Sequence, residues 1–507
     1  MPAAFPLVRD VRALQDRRFD VLVIGGGIYG AWTAYDAALR GLSVALVEKD
    51  DWAAGTSSAS SKLIHGGLRY LEHFEFALVH HALIERRVLA RLAPHLVRPL
   101  NFVIPNWRGA RVPPWKLGAG LMLYDFLSFG RQPVQRHKRY ARERLLRRYP
   151  FLAAEGLRGG FRYGDCQEDD ARVTLSVAAA AQSAGAVLAN RVVAESLIEH
   201  EGQVQGAALR CAESGARWNL RAEVTVCATG PWTAGLLGRH APKMRLVKGT
   251  HLILPRIPDC QSAFLLTAPQ DGRVFFVIPW YGRTLVGTTE SEVADPAAAV
   301  ATEAEERYLL AAVNAWLPGL GWTARDVIGR YAGVRALQAQ VTGNLSAVTR
   351  EFEIATPVPG LVVPIGGKFT TARHDASRIA DRVEDALQRA RTRCRTDQAP
   401  LPGAPPEEFS EWQSALLARL TGAGLDLEIA HSLMQRYGTR CARILELLSE
   451  EPSRAARLAP ALPFIAAEAV LAVKDEMARD ARDVLRRRIP LELLSSDSLT
   501  ERVQKFI

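Results

Sequence analysis

The stretch "FDVLVIGGGIYGAWTAYDAALRGLSVALVEKDD", residues 19–51, decides the fold. Residues 19–24 read as an apolar strand, 28–40 as an alanine-rich helix and 43–48 as a second apolar strand, which makes a βαβ unit. Gly25, Gly27 and Gly30 form a GxGxxG turn between the first strand and the helix. The first glycine permits the tight turn, the second lets a pyrophosphate approach the backbone, and the third lets helix and strand pack closely. The amides at the helix N-terminus then face the phosphates. Glu48 closes the second strand, where a carboxylate accepts hydrogen bonds from ribose hydroxyls and disfavours a 2′-phosphate. NAD and FAD both fit this pattern.

Two further turns favour FAD. "CATGPW" (227–232) ends an apolar strand in small residues, suited to a second close pass of backbone against a dinucleotide. "IGGKFTT" (365–371) is a third glycine turn, opening a helix late in the chain and placing N–H groups near a flavin ring. A nicotinamide that comes and goes needs only the first site. Three turns spread over the chain point to a cofactor that stays.

The chain has 507 residues, 48% of them hydrophobic, enough for two or three domains without disulfides. Its six cysteines are scattered with no CxxC pair, as expected of reduced thiols in a cytoplasmic protein. No run of roughly 20 apolar residues and no signal peptide stand out, so no crossing of a bilayer is expected. The net charge of +10 favours anionic partners. The basic run "RQPVQRHKRYARERLLRRYP" (131–150), read as helix-like, follows the apolar "WKLGAGLMLYDFLSFG" (115–130). That pairing suits peripheral attachment to acidic lipids, or equally a solvated helix beside core packing. With no HExxH and no His/Cys cluster, no metal is expected; no GxSxG elbow and no nucleic-acid-binding module is found.

The remaining pattern gives the organisation. Helical periods fall at about 74–93 and 172–184, β-rich runs between about 186 and 290, and a strand, glycine turn and helix after 360. The expected fold class is α/β plus α. A discontinuous Rossmann-like FAD-binding domain within 17–395 carries an inserted antiparallel β-rich substrate domain, at about 100–160 and 240–335. The Pro/Gly-rich 396–408 reads as a linker and 409–507 as a C-terminal helical domain.

The most specific stretch is "GTSSASSKLIHGGLRYLEHFEFALVHHAL" (55–83), joined by "DDAR" (169–172), "KGTH" (248–251), "FFVIPW" (275–280), "YAGVR" (331–335), "GGKFTTAR" (366–373) and "DEMARDARDVLRRR" (475–488). With these segments the chain resembles, in order and over nearly its whole length, the FAD-dependent glycerol-3-phosphate dehydrogenases of the D-amino-acid-oxidase-like superfamily. The resemblance implies oxidation of sn-glycerol 3-phosphate to dihydroxyacetone phosphate, with hydride passing from C2 to flavin N5. Electrons leave for a membrane quinone, from a site peripheral to the inner face of the cell membrane. The matching positions expected at FAD, beyond Gly25, Gly27, Gly30 and Glu48, are Thr56, Ser57, Ser58, Ser61, Lys62, His65, Gly66, Gly67, Ala228, Thr229, Gly230, Gly366, Gly367, Lys368 and Thr370.

A phosphate dianion beside a secondary alcohol needs fixed cations at one end and a proton acceptor at the other. Arg335 is the first choice for the phosphate, its planar guanidinium matching two oxygens. Arg350, Lys368 and Arg69 are candidates for the same pocket, with ordinary surface charge as the alternative. His251 is the candidate acceptor of the hydroxyl proton because imidazole titrates near neutral pH; a packed core histidine is the alternative. Tyr70 is a candidate hydrogen-bond donor to substrate. Three departures from the family pattern touch this region: "ALQAQVTGNL" (336–345) after "GVR", Ala372 in place of a tyrosine, and Glu290 in place of an aspartate. Another phosphorylated polyol, a hydroxy acid or an amino acid stays open as substrate, as do a flavin-binding scaffold without turnover and a homodimer.

Overall fold

The computed structural model describes residues 5–128, 130, 132–339, 352–405 and 409–507. Arg350 and the 340–345 part of the departing loop lie outside these residues. The chain forms a Rossmann-like α/β half, an antiparallel curled sheet and a helical tail.

The first sheet runs, edge to edge, Phe352–Ala355, Leu361–Gly366, Arg217–Cys227, Phe19–Ile24, Val44–Val47 and Val187–Ala189. All neighbours are parallel except the first pair. The central strand "FDVLVI" is buried on both faces, as its unbroken apolar run requires. Helix Ile28–Leu39 packs between helices Asp170–Ser183 and Ala372–Ala386. Its alanines at 31, 34, 37 and 38 are all buried, which permits that close approach on two sides.

In the second sheet Met244–Pro255 pairs antiparallel with Arg283–Gly287 and Gly329–Gln338. Val97–Trp107 runs antiparallel to Leu157–Glu168, and one parallel contact, Ala263–Thr267 on Val97–Trp107, closes the order. Helix Pro114–Leu127 lies outside, against helix Phe76–Leu92. It buries only Leu121 and Tyr124. Nine large hydrophobic side chains are exposed among the described residues, and five of them, Phe74, Phe76, Trp115, Met122 and Phe126, belong to this corner.

One expectation needs correction. The basic run beyond 131 is not one helix but a strand, Lys138–Tyr140, followed by a short helix, Arg142–Arg148. Tyr140 and Leu145 are buried apolar anchors that hold it to the sheet. Within the segment 396–405, Thr396 and Leu401 are buried, and the Leu401 amide donates to the Leu92 carbonyl at 2.8 Å.

The helical tail docks through buried charge. Asp51, fully buried, accepts from Arg488 at 2.7 and 2.9 Å and from Arg487 at 2.5 Å. Glu476 binds Arg172 at 2.8 Å and also Arg440, while the Trp52 indole donates to the Met477 sulfur. Each buried ion has its partner, the condition under which burying it is tolerable.

Candidate active site

A cavity of about 620 Å³ opens between the two sheets. One end is built by the glycine turn. Gly25 has φ +115°, and a Cβ there would lie 2.5 Å from the Ala228 carbonyl oxygen. A Cβ at Gly30 would lie 1.9 Å from the Gly25 oxygen, so Gly30 works behind the cavity, in helix–turn packing. Gly25, Gly27 and Ile28 line the cavity itself. Glu48 accepts from the Gly26 amide at 2.6 Å and the Asp50 amide at 2.8 Å, and burial raises its carboxyl to about 7. Ser57 Oγ accepts from the Ile28 amide at 2.9 Å and caps the helix from a distance.

Thr56, Ser61, His65, Gly67, Ala228, Thr229, Gly230, Gly366, Gly367 and Thr370 also line this cavity, so all three glycine-bearing turns meet in it. Besides Gly30, three predicted cofactor positions do not. The Lys62 side chain is buried, ion-paired to Asp170 at 2.7 Å and donating to the Ser58 carbonyl, so its charge is satisfied away from the cavity. The Ser58 hydroxyl turns to the Gly55 carbonyl, and the Gly66 amide donates to Tyr124 Oη at 2.9 Å. Ala372 is fully buried in the core rather than at the pocket.

The other end gathers the polar chemistry. His251, Arg335, Lys368, Arg69 and Tyr70 line the same cavity. The Lys368 ammonium sits 3.6 Å from the Tyr70 ring centroid, a cation–π contact. Arg335 pairs with Glu290 at 3.1 Å. A Cβ at Gly249 would lie 2.8 Å from the Arg335 guanidinium and one at Gly287 2.4 Å from the His251 ring, so these two glycines make room for both groups. Glu290 itself was legible only as a departure; its pairing with Arg335 joins positions 45 residues apart in sequence, which no local motif records.

His251 is stacked on Tyr331, centroids 4.8 Å apart and planes 13° off parallel. Tyr331 Oη donates to the Ser60 carbonyl, and Arg486 of the tail lies 5.5 Å from the Tyr331 ring centroid. His251 Nε2 and Ser61 Oγ are 2.9 Å apart, and buried Nδ1 meets no hydrogen-bond partner among the described residues. Burial, then the Arg335 guanidinium and the Lys62 ammonium, push the imidazole down to about 3. The expectation of a histidine titrating near neutrality is therefore corrected: the ring is neutral at ordinary pH because ionising it beside two cations in a dry site is costly.

A dinucleotide fits these residues: a turn that any Cβ would block, a carboxylate at the end of the second strand, and backbone from three separated turns in one cavity. The fold and site define an FAD-binding oxidoreductase. In agreement, residues 20–394 match the family described as DAO, FAD dependent oxidoreductase, and residues 394–507 match the C-terminal domain of alpha-glycerophosphate oxidase. A glycerol-3-phosphate dehydrogenase from Synechocystis is 36% identical, the match covering 97% of this chain and 92% of that protein. Another from Pseudomonas aeruginosa is 38% identical, covering 96% and 95%. The solved glycerol-3-phosphate dehydrogenase of Bacillus halodurans, complexed with FAD, superposes with a TM-score of 0.79 at 28% identity, covering 97% of this chain and 90% of that one. The chain belongs to the FAD-dependent glycerol-3-phosphate dehydrogenase family, and FAD is its cofactor.

Proposed function

We propose that the protein oxidises sn-glycerol 3-phosphate to dihydroxyacetone phosphate and passes the electrons to a membrane quinone. The observation that carries the reading is the shared cavity: a neutral, buried imidazole stands beside Arg335, in the space that the flavin turns enclose. Arg335, Lys368 and Arg69 hold the substrate phosphate, with Glu290 setting the Arg335 guanidinium until the dianion replaces it as the nearer anion. His251 accepts the C2 hydroxyl proton. A dianion at Arg335 cancels one of the charges that depress the imidazole, so substrate itself makes the ring a better base. Bound FAD supplies the two-electron acceptor for the hydride leaving C2.

Peripheral attachment at the inner membrane face is part of the reading. It is supported by the exposed Trp115, Met122 and Phe126 on one helix, close in sequence to the basic 132–148. No helix among the described residues is long and apolar enough to cross a membrane. The test is spectroscopic: anaerobic addition of millimolar glycerol 3-phosphate bleaches the yellow flavin band. Persistent colour with this substrate, and bleaching by another polyol phosphate or by an amino acid, reassigns the substrate.

A further inference from the structure

One buried carboxylate joins the first and third glycine turns. Asp375 stands in the first turn of the helix Ala372–Ala386, is 4% exposed, and lies just outside the lining of the flavin cavity. Its Oδ2 accepts from Tyr29 Oη at 2.7 Å and from Thr371 Oγ1 at 2.8 Å. Tyr29 comes from the helix Ile28–Leu39, and its ring is stacked on Phe352 of the sheet edge, centroids 5.5 Å apart. The backbone at Gly367 closes over the pair: a Cβ there would lie 1.8 Å from Tyr29 Oη and 3.3 Å from Asp375 Oδ2. Tyr29, Gly366, Gly367 and Lys368 all line the cavity, so Asp375 sits one glycine behind its wall.

Among the described residues the direct side-chain partners of Asp375 are these neutral hydroxyls. Burial lifts the carboxyl to about 6, against the pull of the two hydroxyl donors and then of Arg378, on its own helix, and Lys368, in the turn. Glu85, on the helix Phe76–Leu92, contributes a like charge, which Arg373 neutralises at 2.5 and 2.8 Å.

We propose that Asp375 is a positioning residue that tunes the bound flavin: ionised, it lowers the flavin's affinity for electrons, and protonated, it lifts that restraint. The proposal rests on the dehydrogenase reading, which puts the reacting ring where His251, Arg335 and Lys368 gather, and Lys368 adjoins the glycine that covers Asp375. A helix N-terminus carries partial positive charge that favours electrons on a neighbouring group, and a carboxylate in its first turn cancels it. Glycine adds no side-chain thickness, and a charge acting through a dry wall is weakly screened. Above pH 6 the reduced flavin is thereby the stronger donor; below it, reduction is the easier step.

Asp375→Asn keeps an oxygen for both hydroxyls and removes the charge. Midpoint potentials of the flavin-loaded proteins are measured anaerobically against reference dyes, from pH 5 to pH 8, without glycerol 3-phosphate. At pH 8 the asparagine variant is expected to favour two-electron reduction about tenfold more than wild type, which is about 30 mV. At pH 5, where wild type is itself protonated, the difference is expected to fall below about twofold. Tyr29→Phe removes one donor to the ionised form, so its fall away from the asparagine variant is expected to begin at a pH about one unit higher than in wild type. Equal potentials for wild type and Asp375→Asn at pH 8, or a difference as large at pH 5, overturn the proposal. Should Asp375→Asn fail to retain flavin, wild type against Tyr29→Phe decides, and identical pH profiles overturn it. The dyes replace substrate throughout, so failure here leaves the substrate reading standing, and a substrate that does not bleach the flavin leaves these potentials measurable.

Discussion

Replacing His251 by glutamine tests the buried imidazole on two independent readouts. In the folded protein the ring's midpoint is pushed down to about 3, against an ordinary value near 6.5 in the unfolded chain. The sign follows from proton binding: below 6.5 the unfolded chain takes up a proton that the folded chain refuses, so stability falls with pH from 6.5 towards 3. At pH 5 the unfolded imidazole is about 1.5 pH units below its midpoint, and at about 1.36 kcal/mol per unit the loss from this residue is about 2 kcal/mol. Glutamine does not titrate. His251→Gln is therefore expected to lose about 2 kcal/mol less than wild type between pH 7 and pH 5, read from urea midpoints with FAD in excess. On the kinetic side, the variant's stopped-flow bleaching rate is expected to fall about 10²- to 10⁴-fold, the range of a lost general base. Equal acid losses in the two proteins would refute the buried neutral ring; an unchanged bleaching rate would show that the proton goes elsewhere.

Other consequences are separable by simple measurements. Gly30→Ala places a methyl group against the Gly25 carbonyl oxygen, and overpacking of about 1–3 kcal/mol predicts FAD held roughly 5- to 150-fold less tightly; flavin retained per chain after desalting at the wild-type level contradicts the packing role. Glu48 is raised to about 7, and ribose hydroxyls donate to its ionised form, so FAD affinity is expected to rise about tenfold from pH 6 to pH 8 and to become flat in Glu48→Gln. Asp51 is held below the usual carboxylate range by Arg488 and Arg487, so its contribution is present at neutral pH and lost in acid. Asp51→Asn breaks a buried ion cluster worth about 3–5 kcal/mol, which for a chain of this size is roughly 3–5 °C in Tm at neutral pH, narrowing as the pH falls. Trp115→Ser with Phe126→Ser is expected to release the protein from anionic liposomes at least tenfold while bleaching by substrate continues; unchanged partitioning places the membrane contact elsewhere.

The nucleotide half was legible because its physics is local. A tight turn needs Gly25, close packing needs Gly30, and both needs fall within one strand–turn–helix, so spacing alone carries them. The meeting of "CATGPW" and "IGGKFTT" with that turn was legible for a related reason: each ends a buried parallel strand on the same side of one sheet. Lys62 shows where such reading stops. It stands inside the most specific motif, yet its charge is spent on Asp170, more than 100 positions along the chain. His251 likewise has its place fixed by sequence and its chemistry fixed by neighbours: Ser61 and Lys62 come from one distant segment, Tyr331 and Arg335 from another. The tail network was readable as a helical period but not as an ion cluster, since helical spacing says which face is apolar and nothing about what a buried arginine will meet.

The segment 483–488 supplies both guanidiniums that seal Asp51 beside the flavin turn and the one that lies over the Tyr331 ring behind His251. During synthesis, then, Asp51 emerges 436 residues before Arg487, so its socket opens long before the segment that closes it. A polypeptide stopped short of position 483 contains every residue of the flavin cavity, yet it leaves the socket's anion stranded and the imidazole stack unbraced. Premature termination should therefore yield a colourless chain prone to chaperone capture or proteolysis, rather than a half-working enzyme that leaks electrons.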